Sequence, residues 1–374
     1  GSTAINSGAV RISNASALGT AGAITVASSG QLEISGAITF ARAVAISGIG
    51  ATSEGSLMNR SGNNTFSGAI TLNADSTIGS SVGIFTISGT ITGTARNLIF
   101  TAATGADIIA SNQIALTTGT LQKTGAGTLT LSGTTNTYTG TTSVLQGILR
   151  ITSFSSFGTS SEVIVDSGTT LQIQPAVTGT LSKLTTISGD GVSNQGALNN
   201  TALSNTIGPG VLRVGSSTSN RIASAAALTL TINGITRNES ILSGAAAPLT
   251  FGGAGIITLT GVISTTGTSG LSSLTKVDAG TLNLGTLAHV YNGSTTISAG
   301  AITRSVVSGA ITAAGNFTTA ASLAVTFTGG IPAIGSTWKF FPADTTNTYT
   351  SVALTGATGR TGSYNKITST LTIS

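Results

Sequence analysis

The sequence has no cysteine, one histidine, five prolines and 7% charged residues in a chain of 374. Without cysteine there is no disulfide, no thiolate nucleophile and no Cys-ligated zinc, and a cysteine-free chain of this length fits an exported bacterial surface protein. No apolar run reaches the roughly 18 residues that a membrane-crossing helix needs. There is also no initiator methionine or signal peptide, so a chain starting at Gly1 reads as a mature, processed product. Charge is scarce as well. Soluble domains usually carry about 25%, so Ser, Thr, Asn and Gly must cover most of this surface. The formal charge of +5 is spread thinly over Arg11, Arg42, Arg60, Arg96, Lys123, Arg150 and a few more residues. With no basic cluster, nucleic acid is excluded as a partner.

Present in abundance are 51 glycines and an alternation of aliphatic residues with Ser and Thr, in runs such as TLTLSG, TISGTITG and LEISGAITF. Mean hydropathy is +0.39, which argues against disorder. Period-two alternation and β-branched side chains specify half-buried strands, and the chain is expected to be almost all β. It also repeats. At an offset of 153, residues 121–151 fall on 274–302: Lys123 on Lys276, Leu129 on Leu282, Leu131 on Leu284, Tyr138 on Tyr291, Val144 on Ile297 and Gly147 on Gly300. Upstream, at offsets of 139 to 141, Arg11-Ile12 falls on Arg150-Ile151 and ISGIGATSEGSLMN on ISGDGVSNQGALNN. Two long units, 1–149 and 150–303, are thus expected, each made of glycine-marked modules of about 18–25 residues, the length of one β-solenoid coil. Leu129, Leu131, Val144 and Leu149, with their counterparts Leu282, Leu284, Ile297 and Ile302, should point inward. The texture changes after residue 303. Phe317, Phe327, Trp338, Phe340, Phe341, Tyr349 and Tyr364 are seven of the sixteen aromatics, and region 304–374 is expected to be a β cap or an assembly region.

The run GAGTLTLSGTTNTYTGTTSVLQGILRI (125–151) resembles the passenger-associated β-strand repeat of bacterial autotransporters, and 277–302 resembles a decayed copy of it. The resemblance implies a right-handed parallel β-helix outside the cell, ordinarily without enzymatic activity. No C-terminal series of alternating spans of about ten residues forms a membrane barrel, so the resemblance is to a free-standing relative. Membrane insertion is not expected.

Catalytic and ligand-binding motifs are sparse. Glu162 and Asp166 are the closest acid pair, but they have no counterpart in the first copy, and His289 aligns with Asn136. Asp190 stands alone where calcium-binding nonapeptides need repeated aspartates, and no G-K-[ST] motif follows any glycine string. Asn-x-Ser/Thr sequons, among them those at Asn14, Asn63, Asn199, Asn238, Asn292 and Asn316, are what this composition produces by chance. No catalytic residue, cofactor or metal is expected. The function expected is structural: a subunit of the cell surface or extracellular matrix that assembles head-to-tail with itself. Gly1, Ile5 and Val10 begin partway through a module, and the C-terminal TLTIS, with Thr370, Leu371 and Ile373, repeats the strand missing before them. Unpaired edges at both ends would template addition. The alternative is a monomeric, autotransporter-like passenger acting as adhesin or spacer, with a surface polysaccharide or a host or cell receptor as its partner.

Overall fold

The computed structural model describes residues 1–215, 217–237, 247–263, 271–285, 295–306, 317–318, 323–327, 337–339, 352–355, 362–365 and 370–373. The chain forms two compact units, Gly1–Val177 and Thr178–Ser374. Among the described residues the only helical piece is a single 3-10 turn, Val192–Asn194. Everything else regular is strand, as the alternation requires.

In the first unit every strand pair is parallel, and each strand hydrogen-bonds to the strand one coil away. Three ladders result. One passes through Thr3, Ile24, Val44, Ile70, Ile91 and Ile114. The second runs through Leu32, Leu57, Ile78, Phe100, Lys123, Val144 and Val165. The third runs through Phe40, Phe66, Ile87, Ala110, Leu131, Ile151 and Ile173. Long strands such as Ile24–Ser35 and Ile70–Ser80 turn a corner and serve two ladders. Successive partners lie 20 to 26 residues apart, as from Ile24 to Val44 and from Val44 to Ile70. This unit is a parallel β-solenoid.

The core is the inward half of each ladder. Leu129, Leu131, Val144 and Leu149 are wholly buried, and Leu282, Leu284 and Ile302 nearly so. Ile297 pairs through its backbone with Lys276, while its side chain lies outside the described residues. Phe40 and Phe66 stack as rung neighbours, ring centroids 5.6 Å apart.

The second unit repeats the parallel plan with longer coils. Going from Ile222 to its partner Phe251 takes 29 residues, where Ile78 to Phe100 takes 22. The growing sequence offset between the two copies is therefore taken up between strands, where extra length leaves the ladder intact. Parallel pairing continues past residue 303: Thr303 pairs with Ala324, and Leu323 with Val352. A three-stranded sheet of the other kind then appears. Thr370–Ile373 is antiparallel to Thr337–Lys339 on one side and to Gly362–Asn365 on the other. The C-terminal strand, expected to offer an unpaired edge, instead has both edges occupied within its own unit. No side chain beyond Thr303 is described, so the expected aromatic cap lies outside the described residues.

Candidate functional site

The repeated sequence module forms a repeated hydrogen-bonded corner. In the run Asn136-Thr137-Tyr138-Thr139-Gly140, the Asn136 Oδ1 accepts a hydrogen bond from the Ile114 amide of the preceding coil at 2.7 Å. Tyr138 next points inward, wholly buried, its hydroxyl 2.8 Å from Thr142 Oγ1. Burial pushes that hydroxyl above its ordinary range, so it stays protonated. Gly140 follows because a Cβ there would stand 2.3 Å from the Gly119 carbonyl oxygen.

Asn64-Thr65-Phe66-Ser67-Gly68 builds the same corner. Asn64 Oδ1 accepts from the Ile38 amide at 2.7 Å, Phe66 is buried, and a Cβ on Gly68 would lie 2.1 Å from the Arg42 carbonyl oxygen. Asn64 also donates to Asn59 Oδ1, at 2.6 Å. In the second unit Asn205 donates to Asn200 Oδ1 at 2.8 Å and accepts from the Gly179 amide. These buried amides satisfy main-chain groups at a corner where no ladder reaches them.

Lys123 occupies an inward rung and is wholly buried. Its ammonium reaches the next corner and donates to the carbonyls of Thr124 at 2.8 Å, Gly125 at 2.7 Å and Gln146 at 3.1 Å. Lys276 does the same in the second unit, donating to Val277 O and to Asp278 O. Desolvation pulls both amines down to about 8, with Asp107 near the first and Asp278 near the second opposing it. Sequence comparison aligned these lysines without assigning them a role. The signal lay in the run Leu121-Gln122-Lys123, where period-two alternation places Lys123 on the same side as Leu121.

Three charged side chains of the first unit, Arg11, Arg60 and Glu54, gather around Glu33. Its carboxylate accepts from Arg11 Nε at 2.7 Å and from Arg60, which also reaches Glu54 at 2.8 Å. Burial raises the Glu33 pKa, but the hydrogen bonds and charges of Arg60 and Arg11 outweigh it and hold the carboxyl below its usual range. One repeat later, Arg150 Nε donates to Gln172 Oε1 at 2.6 Å.

The sequence candidates for chemistry do not converge. Glu162 and Asp166 bracket the strand Val163–Val165, which at the rise of an extended chain puts roughly 13 Å between their Cα atoms. Carboxylate pairs that hydrolyse glycosides stand closer, at about 5–9.5 Å between carboxyl groups. Asp190 accepts from the Ser219 hydroxyl, and His289 lies outside the described residues. Among the described residues, no three His, Cys, Asp or Glu side chains gather in a way that could hold a metal. Of the assembly candidates, Ile5 is buried against Val26, Val10 pairs with Leu32, and the Gly1 ammonium lies 3.4 Å from Ala21 O. Thr370, Leu371 and Ile373 belong to the doubly flanked strand.

The family described as the passenger-associated-transport-repeat matches residues 57–74, 118–151 and 274–303. In these three segments the chain carries the passenger-associated-transport repeat, the repeat of autotransporter passengers. Matches 118–151 and 274–303 are the segments that align with each other at an offset of 153. The third, 57–74, holds the Asn64 corner with the repeat's Asn-Thr-aromatic-x-Gly element. No curated protein and no solved structure matches the chain.

Proposed function

We propose that this protein is an exported, surface-associated passenger whose solenoid is a non-catalytic scaffold, acting as a monomeric spacer or adhesin. The observation that carries the proposal is the coincidence of the family's repeat with the corner chemistry of the parallel coils. Every residue type fixed by the repeat holds backbone or core: Asn for a main-chain amide, Tyr or Phe for the interior, Gly for close approach. None is kept for a reaction. Ligand recognition then falls to outward positions and to the segments between strands, which vary in length from coil to coil. A surface polysaccharide or a receptor on another cell is the partner class that suits such a surface, sparse in charge and rich in hydroxyls.

Head-to-tail polymerisation finds less support, because the strand proposed to template it is already paired on both edges. Sedimentation of the purified chain over a wide concentration range tests the two readings. A single monomeric boundary, with discrete particles in negative stain, is expected; concentration-dependent filaments would reinstate polymerisation. Surface exposure is tested separately, by shaving intact producing cells with protease. Release of peptides from 1–177 supports export, and their retention inside intact cells overturns it.

A further inference from the structure

Ladders and corner bonds hold nearly all of the main chain in the first unit, and the segment Pro175-Ala176-Val177-Thr178 stands apart from them. The chain leaves the third ladder at Gln174, whose amide donates to the Ile151 carbonyl at 2.9 Å. It is next held at Gly179, which donates to Asn205 Oδ1 at 3.2 Å and accepts from the Thr206 amide at 2.9 Å. Between those two points the main chain makes no hydrogen bond among the described residues. Pro175 is buried and has no N–H to give. Ala176, Val177 and Thr178 are all exposed. The division between the two compact units falls in the same segment, after Val177. Val177 is also 73% exposed, more than any other large apolar side chain among the described residues. The other exposed ones of the first unit are tied down through their own peptide groups. The Ile49 carbonyl accepts from the Gly55 amide at 2.8 Å, and the Val82 carbonyl from Asn59 Nδ2 at 2.8 Å. The Ile84 amide donates to Asn63 Oδ1 at 2.9 Å, and the Leu145 amide to the Lys123 carbonyl at 2.9 Å.

We propose that Ala176-Val177-Thr178 is a cleavage site for an endopeptidase whose specificity pocket takes a small aliphatic side chain. Such an enzyme needs several residues in extended form, so a folded substrate must first give up whatever holds them. Opening a solenoid corner sacrifices main-chain bonds and buried apolar side chains. Opening 175–178 sacrifices no main-chain bond and only the packing of Pro175. Exposed segments of small and polar residues are where folded chains are nicked for this reason. The side chains then select the class of enzyme. No Lys, Arg or aromatic residue lies between Phe157 and Lys183, so enzymes that read a basic or aromatic side chain have nothing to recognise here. Ala176 and Val177 are what the segment presents to a pocket. In the reaction, water adds to the Ala176 or Val177 carbonyl and the C–N bond to the next residue breaks. A carboxylate is left on one side and an ammonium on the other. Both new charges form in a stretch already open to water, and no rung of either unit is lost.

The test uses the purified full chain and so stands apart from whether the protein is exported. The chain is treated with a trace of pancreatic elastase under native conditions, and the products are followed over time by mass spectrometry. Among all cuts within residues 1–215, cleavage after Ala176 or Val177 should be the fastest by roughly tenfold or more. Equal or faster cutting elsewhere in 1–215 overturns the proposal. A chain carrying Ala176→Asp with Val177→Asp keeps the segment open but removes the small aliphatic pair. Because both side chains are exposed, its thermal midpoint should match the parent's, while elastase cleavage at the segment should slow by roughly tenfold or more. Cleavage there at the parent rate overturns the recognition of a small aliphatic residue. A lowered midpoint overturns the proposal too, because the segment would then be part of the packing and not an open stretch of chain.

Discussion

Arg11 and Arg150 occupy the same place in successive copies of the repeat and reach the same neighbour one coil on, but one meets a carboxylate and the other an amide. Arg11 bonds Glu33, which Arg60 also holds; Arg150 bonds Gln172 alone. The ladder bond persists when the charge is gone. Shape and hydrogen bonding are therefore what the rung requires, and the ionic network around Glu33 is an addition made in one copy. That addition converts a rung indifferent to pH into one that responds to acid.

The inward side of the second rung sets the scale for any attempt to break this comparison. Leu131 pairs with Ile151, beside Arg150, and is fully buried. Leu131→Ala should cost about 2–5 kcal/mol in denaturant unfolding. Glu33→Ala, which strands Arg60 beside a lost partner, should cost about 2–3 kcal/mol. Gln172→Ala should cost about 1 kcal/mol or less, since Arg150 can turn to water. Equal losses at Glu33 and Gln172 would mean that the ionic network adds nothing.

Acid sharpens the contrast. The folded pKa of Glu33 lies below its unfolded value, so its contribution is complete above that unfolded value and is lost as pH falls through the folded one. Glu33→Gln should remove this dependence below about pH 4.5, and Gln172→Glu should import a weaker form of it, both visible in thermal midpoints recorded against pH. At the alkaline end the two copies should behave alike. Lys123 and Lys276 titrate at about 8 in the folded chain and at 10.5 in the reference state. Between those values the unfolded chain binds more protons, so their contribution to stability rises with pH, and Lys123→Met should flatten the rise. A midpoint that falls from pH 8 to 10 in the parent but not in Lys123→Met would reverse that sign.

Much of the fold was legible because the solenoid is local in pattern. Alternation placed Leu129, Leu131, Val144 and Leu149 inward, and repetition placed Leu282, Leu284 and Ile302 with them. What alternation does not encode is the partner of an end strand. Thr370–Ile373 copies the local text of Thr128–Leu131, yet its partners are antiparallel and its ladder is another one. The segment around Asn64 aligned with Asn205-Thr206-Ile207 but was not read as a further copy of the family repeat; its function is carried by one amide, one ring and one missing Cβ. Lys123 was visible but was counted as charge. Alternation gave its direction, while the carbonyls that receive its ammonium belong to a corner whose backbone path no residue pattern spells out.

The spacing of ladder partners, 20 to 29 residues in both units, has a consequence for how the chain acquires its structure. Closing a loop costs entropy that grows only as the logarithm of its length, so the longest of these coils costs about 0.3 kcal/mol more to close than the shortest. Every strand therefore finds its partner at nearly the same entropic distance, whatever its position in the chain. Order can then propagate coil by coil from any formed rung, and a chain emerging into solution needs only its most recent coil as a template for the next.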